Sequence, residues 1–279
     1  MSILITGGTG QTGGRLAQLL HANNHSVLVA SRSGVAPEPF KAVKFDWSDE
    51  KTFGNPFKVD SNIDKIYLIA PPIFDSLPVV KPFIDFAISK GVKRFVHGSS
   101  SSMDKGDIVD GKIHEYLVDS GVDYTIIRPT WFIENLGTFF ATSIRDSDEI
   151  ITVAKNGRVA FVGVDDIAQA AYHALVAKES LNTEFFVVGP DLYSYDEVAA
   201  ILTNQLGRKI THRRISHKES RRLWEGFGLT PEYAAMLTTM EAKISKGYEE
   251  AIAKTNKTII GQKRLTDYIA ANKALWIKS

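Results

Sequence analysis

The stretch "ILITGGTGQTGGRLAQLL" at residues 3–20 constrains the fold of this chain more than any other. A short apolar run meets a cluster of glycines and passes into residues with helical spacing. Gly7, Gly10 and Gly13 keep a G-x-x-G-x-x-G spacing, and Gly8, Gly10 and Gly13 also satisfy G-x-G-x-x-G. Glycine permits a positive φ in a tight turn and lets a backbone approach a pyrophosphate closely. The helix that follows directs its free N–H groups and positive dipole end at that phosphate. Thr9, Gln11 and Thr12 add side-chain donors. A glycine spacing alone is a weak signal. Here it follows a strand and opens a helix, which is the context a dinucleotide needs. The competing reading is a strand-to-helix turn with no ligand.

The chain continues in the same alternation. "SILITG", "HSVLVASR", "KAVKFDW", "DKIYLIAPP", "KRFVHGSSSS", "VDYTIIRPTW" and "EFFVVGP" predict strands, and Arg15–His21, "VVKPFIDFAISKGV" and "DGKIHEYLVDSG" predict helices. Nearly continuous β-branched runs between helices predict an α/β fold, a Rossmann-type doubly wound parallel sheet. After Gly189 the pattern is mainly helical. The expected division is a nucleotide-binding domain over 1–128 and 163–190, and a smaller, mainly helical substrate-binding region over 129–162 and 191–279. The polar run Ser99–Ser102 falls where a parallel strand ends, where loops line sites in such folds.

Composition narrows the function. With 279 residues, 44% of them hydrophobic, the chain can bury a sizeable core. A net charge of +1 creates no global field for nucleic acid or an anionic membrane. The absence of cysteine excludes disulfides and thiolate catalysis. Without cysteine or an H-E-x-x-H pattern, no metal site is expected. No apolar run approaches the roughly 20 residues that span a bilayer. The first strand begins at about residue 2, leaving no room for a signal peptide. A cytoplasmic protein with a small-molecule substrate is expected, with its oligomeric state open.

The second strand ends "VLVASRS". A site for NAD usually places Asp or Glu there to accept from the ribose 2′-OH. This chain offers Arg32 between Ser31 and Ser33. A guanidinium binds a 2′-phosphate in bidentate fashion, so NADP(H) is expected over NAD. Asp46 and Trp47, after the third strand, are candidates to flank the adenine, or else a helix cap and a half-buried ring.

"DKIYLIAPP", "GVKRFVHGSSSS", "YLVDSGVDYTIIRPTWFIENL" and "FVGVDDIAQAAYHAL" follow the glycine turn in the order found in NmrA-like proteins. These are atypical members of the short-chain dehydrogenase/reductase superfamily. The chain resembles them to about residue 215. Within the family it looks most like the fungal indole-alkaloid branch, whose reductases make festuclavine and agroclavine. The resemblance implies that the glycine turn and Arg32 hold the adenosine diphosphate end, and that Ala70, Pro71 and Pro72 lie along the cofactor. It places Ser99, Ser100 and Ser101 near the nicotinamide, Ser100 on the substrate side. Lys112 takes the place of the superfamily's active-site lysine, touching the nicotinamide ribose. Pro129 and Thr130 lie beside the carboxamide, and Trp131, Phe132 and Asn135 begin the substrate wall.

One departure matters more than these matches. Standard superfamily members carry Tyr-x-x-x-Lys, with the tyrosine protonating an alkoxide. Here the residue four before Lys112 is Ile108, and no tyrosine in the chain precedes a lysine by four. Ketone reduction with acid assistance gains about 10²–10⁴-fold in rate. A substrate that already carries its charge, an iminium such as a protonated imine, needs no such acid. A redox-triggered cyclase of Diels-Alder type in alkaloid biosynthesis fits the same chain, and so does a non-catalytic NADP(H)-sensing regulator. Tyr116, one turn after Lys112, is a candidate substitute donor or a tyrosine packing its helix onto the sheet. Lys112 itself could be a solvated helix lysine.

Other candidates carry less. His97 reads as a site residue or a core histidine. His114 and Glu115 face differently from Lys112. Asp165 and Asp166 read as an N-cap and a first-turn acid. The basic cluster "GRKITHRRISHKESRR" reads as a solvated surface. Phe139, Phe140, Trp224, Phe227 and Met236, with Trp131, read as core or as the apolar wall of a pocket for a polycyclic, nitrogen-containing molecule. Such a wall would favour a cationic substrate by about 0.5–2 kcal/mol.

Overall fold

The computed structural model describes residues 1–278. It contains the strands β1 (Ser2–Ile5), β2 (Ser26–Ser31), β3 (Lys41–Lys44), β4 (Ile63–Leu68), β5 (Arg94–Gly98), β6 (Asp123–Pro129), β7 (Glu149–Thr152), β8 (Arg158–Val159), β9 (Thr183–Val188), β10 (Tyr193–Ser194), β11 (Thr211–Arg214) and β12 (Thr258–Ile260). The helices are α1 (Gln11–Ala22), α2 (Asn55–Val59), α3 (Leu77–Ser89), α4 (Asp110–Asp119), α5 (Ala141–Ser147), α6 (Val164–Val176), α7 (Tyr195–Leu206), α8 (His217–Gly226), α9 (Pro231–Ile244), α10 (Tyr248–Ile252) and α11 (Leu265–Ala271). Eight strands form one sheet in the order β12-β9-β6-β5-β4-β1-β2-β3. Pairs β1–β2, β1–β4, β2–β3, β4–β5, β5–β6 and β9–β12 run parallel. The strand order reverses between β1 and β4, which makes their carboxyl ends the topological switch point.

Two compact units emerge, Met1–Arg128 with Ile167–Phe185, and Pro129–Asp166 with the chain from Phe186 onward. The crossings at 166/167 and 185/186 differ by a few residues from the expected 163 and 190, because α6 and β9 each span a crossing.

In the first unit, helix faces follow from sequence spacing. α1 buries Leu16, Ala17 and Leu20, and α3 buries Val80, Phe83, Ile84 and Ala87. These are one-face periodicities of an amphipathic helix. Pro82 lies inside α3, where its missing N–H leaves the carbonyl of Pro78 without the usual i−4 partner. α3 closes on a core that includes Leu4, Leu28, Ile66, Phe83, Phe95 and Ile126.

The second unit has its own core around Ile133, Ile144, Tyr195, Leu202, Ile244 and Trp276. α7 and α8 open with capping boxes, Ser194 with Glu197 and Ser216 with Glu219. The mainly helical expectation after Gly189 missed β10, β11 and β12, and the earlier β7 and β8 were also unforeseen. β7 pairs with β11, β8 with β10, and β12 extends the large sheet from β9. Strands of two to four residues leave too short a pattern to stand out between helices.

Asp165 is not the N-cap of α6; it and Asp166 lie within the first turn. Asp166 accepts from the backbone N–H groups of Gln262 and Lys263 at 2.9 and 3.0 Å. Glu134, its carboxyl raised by burial, accepts the Val164 N–H at 3.2 Å from each oxygen. Much of the basic cluster is paired within the protein. Arg213 meets Glu149 and Glu219, Arg214 meets Asp196, and Arg208 meets Asp148. Among the described residues no helix is long and apolar enough to cross a membrane.

Candidate nucleotide groove and aromatic cavity

The first unit carries a groove of about 610 Å³ at the carboxyl ends of β1, β2 and β4. It is lined by Gly7, Thr9 and Gly10 from the first turn, Ser31 and Arg32 after β2, Asp46 and Trp47 after β3, and Ala70, Pro71 and Pro72 after β4. Sequence reasoning named all ten. It missed Ala30, Phe45, Ser48, Ile69, Ile73 and Val79. Those are apolar or small side chains without a chemical signature.

The glycine turn has steric reasons for its composition. Gly7 holds φ at +63°, where an L side chain is strained. A Cβ on Gly13 would lie 2.5 Å from the Gly7 carbonyl oxygen and 2.9 Å from Gly8 Cα. Both atoms are backbone and cannot swing away. Gly13→Ala is therefore expected to open the turn, lowering stability by about 1–3 kcal/mol and weakening nucleotide binding together. Thermal melts and a nucleotide titration check this; an unchanged affinity would contradict it. Gln11, Thr12 and Gly13 sit in the first turn of α1 and do not line the groove; Thr12 engages the buried Tyr67, whose phenol burial pushes up to about 12.

Arg32 is exposed at the groove with no hydrogen bond or ion pair among the described residues. Ser31 and Ser33 are not free flankers. The Ser31 hydroxyl donates to the Val35 carbonyl at 2.8 Å, and the Val35 N–H approaches both hydroxyls at 3.1 and 3.3 Å. They shape the turn that presents Arg32. Asp46 accepts from the hydroxyl and backbone N–H of Ser48, which lowers its pKa, and the charge of Arg32 adds to that effect. Trp47 packs edge-on against Phe45 and Phe83. The cradle left by glycines and the unpaired guanidinium fit an adenosine 2′-phosphate diphosphate.

Ser99, Ser100, Lys112 and Pro129 lie outside the groove lining. Ser99 N–H extends the sheet to the Ile127 carbonyl at 2.8 Å. The Ser100 hydroxyl is buried without a hydrogen-bond partner among the described residues. Arg128 fixes this loop. It is 2% exposed, donating to the carbonyls of Ser100 and Ser101 and to the carboxylates of Asp104 and Glu184. Sequence reasoning passed over it, although a lone arginine in "YTIIRPT" was the available signal.

α4 begins at Asp110, after Val109 holds φ at +61°, strained for a β-branched residue. Ile108 therefore lies before the helix, not one turn below Lys112 on its face. Lys112 Nζ donates to Asp75 at 3.0 Å. Tyr116 does not stand free as a donor. Its hydroxyl engages Asp85 and Lys81 lies 4.7 Å from its ring centre, so it joins α4 to α3. Burial first, and then Asp85, raise its pKa. His97 is a core histidine, with Nδ1 at 3.0 Å from the Leu68 carbonyl. Burial pushes His114 down to about 4, leaving it neutral near physiological pH.

In the second unit the expected wall divides. Trp224 and Phe227 line a cavity of about 340 Å³ with Phe139, Phe140, Ser220 and Glu241. Trp131, Phe132, Asn135 and Met236 are not part of its lining. Trp131 packs on the unit's core, Phe132 bridges to Val162, the Asn135 carbonyl accepts the Phe140 N–H, and Met236 is buried on α9. Glu241 escaped sequence reasoning because a single acid in "TTMEAKI" looks like a solvated helix position. It is 2% exposed, accepts from Val153 N–H at 3.2 Å, and burial pushes its carboxyl up to about 7.

The native chain holds that proton more tightly than the unfolded chain, where the ordinary value is 4.5. Stability therefore falls as pH rises from about 4.5 through about 7. Glu241→Gln is expected to gain about 2–3 kcal/mol on wild type between pH 5 and pH 8. Urea unfolding at both pH values checks it; an equal difference at the two would refute it.

The NmrA-like family model matches residues 1–259. Agroclavine dehydrogenase of Claviceps fusiformis is 39% identical over 286 residues, covering 99% of each chain. Festuclavine synthase I of Penicillium roqueforti is 39% identical over 270 residues, covering 94% of each. Among solved structures, an NADPH-dependent quinone oxidoreductase of Escherichia coli, complexed with NADPH, aligns with a TM-score of 0.77. It is 22% identical, covering 96% of this chain and 99% of its own, and shares the fold. With the glycine turn, the strand order and near full-length likeness to the clavine enzymes in agreement, this chain belongs to the NmrA-like family.

Proposed function

We propose that the protein is an NADP(H)-dependent oxidoreductase that reduces the C=N bond of a bulky, apolar iminium ion, a protonated or N-alkylated imine, in a clavine-like alkaloid setting. The carrying observation is the surroundings of Lys112: no phenol precedes it on α4, and Tyr116 is committed to Asp85. The NADPH bound by the quinone oxidoreductase and the activities named for the clavine relatives support the same reading.

NADPH, when bound, supplies a hydride. The glycine turn and the N-terminus of α1 hold its diphosphate, and Arg32 holds the 2′-phosphate. Asp46 and Trp47 border the adenine, and Pro71 and Pro72 wall its path. Lys112 can exchange Asp75 for a ribose hydroxyl. Ser100, anchored through Arg128, offers its hydroxyl to the reacting end. Hydride addition to an iminium carbon forms one C–H bond while the π pair moves to nitrogen, giving a neutral amine without a proton donor. The chain's contribution is orientation and exclusion of water.

The test is purified protein with NADPH and N-methyl-3,4-dihydroisoquinolinium, following the near-ultraviolet absorbance of the reduced nicotinamide. Consumption above the enzyme-free blank, with none for a simple ketone, is expected. Tight NADPH binding with no turnover of either compound would overturn the proposal in favour of a sensor.

A further inference from the structure

The cavity of the second unit has a chemistry of its own. Three aromatic rings meet in its wall. Phe139 stands edge-on to Trp224 and Phe227 at centroid distances of 5.3 and 5.6 Å, and Trp224 and Phe227 are 6.0 Å apart. Phe139 and Phe227 are 42% and 55% exposed, so solvent reaches the cavity past them. Glu241 from α9 lines the same space while itself almost fully buried.

Nothing positive inside the protein answers this carboxylate. It takes one backbone N–H, from Val153, and the hydroxyl of Ser220, and no Lys, Arg or His pairs with it among the described residues. A buried carboxylate without a cation is costly unless something compensates it. A metal ion is a poor answer, because no cluster of three acidic or imidazole groups exists among the described residues. An organic cation is a good one. Its charge matches the carboxylate, its apolar substituents match the aromatic walls, and ring faces attract cations.

We infer that this cavity binds an apolar organic ammonium ion, with Glu241 as counter-charge and Phe139, Trp224 and Phe227 enclosing its alkyl or aryl groups. The inference rests on the second unit alone and requires no nucleotide, so it stands or falls separately from the reduction proposed above.

The probe is benzyltrimethylammonium, set against neopentylbenzene, in which carbon replaces the charged nitrogen at nearly constant shape. Both are titrated into nucleotide-free protein, reading tryptophan fluorescence and ligand-observed NMR. The cation is expected to bind at least about tenfold more tightly than the neutral isostere. In Glu241→Gln that preference should shrink to within about twofold. Phe227→Ala, at an exposed position, should weaken the cation by about threefold or more, and it decides the matter with the wild-type comparison if Glu241→Gln does not fold. Equal binding of the two probes, or a preference that survives Glu241→Gln, overturns the inference. Cation binding without imine reduction would sink only the proposed activity; reduction without charge preference would sink only this site.

Discussion

Arg32→Asp is expected to shift the ratio of NADPH to NADH affinity by about two to three orders of magnitude. Two effects combine. A bidentate guanidinium–phosphate contact is worth about 2–3 kcal/mol, so its loss weakens NADPH by about a hundredfold. An aspartate at the end of the second strand accepts from the ribose 2′-OH, which improves NADH by up to about tenfold. The local structure makes the substitution readable. Arg32 forms no bond with the protein that its removal would break, and the Ser31 and Ser33 hydroxyls hold the turn through Val35. Asp46 lies near enough to feel the charge at position 32, so the gain for NADH should fall toward the low end. Titration of both nucleotides into wild type and variant gives the ratio. An unmoved ratio would remove Arg32 from the site.

The second large effect is expected at Arg128. Its guanidinium serves two backbone carbonyls and two carboxylates from a position with almost no solvent access. Arg128→Ala leaves the Ser100 and Ser101 carbonyls without these donors and removes an ion-pair partner of Glu184, whose side chain is only 20% exposed. Breaking such a pair costs about 3–5 kcal/mol. Asp104 can turn to water and contributes little to that cost. Arg128→Lys keeps the charge but not the fork, so it should recover part of the stability and little of the loop order. If Ser100 serves the reacting end, the lysine variant should lose turnover more than NADPH affinity. Denaturant melts and a split of kcat from KM test both statements. Wild-type stability in the alanine variant would refute the first, and a rise in the KM for NADPH as large as the fall in kcat the second.

The sequence was most legible where backbone chemistry demands particular residues. The first turn needs glycine because Gly13 touches the Gly7 carbonyl, and six β-branched runs announced β1 to β6. Arg32 stood out because it follows the second strand where an acid usually reads the ribose, and it lines the groove. Long-range pairings were not. Lys112 and Asp75 are far apart in the chain, as are Tyr116 and Asp85. Nothing in the local pattern of α4 reveals that Tyr116 turns to α3. The cavity failed for a related reason. Met236 and Trp224 carry the same hydrophobic signal, and only packing separates the core side chain from the lining one. Glu241 was hidden by its ordinariness, since burial is a tertiary property and an acid in a helix normally faces water.

The chain passes between its two units at three places, after Arg128, after Asp166 and after Phe185. Neither unit can be cut out as a single contiguous fragment. Replacing the second unit by a relative's would therefore need two segments exchanged in concert, with junctions inside α6 and β9. Diversification in such an architecture is better served by point changes within a unit than by recombination of whole modules.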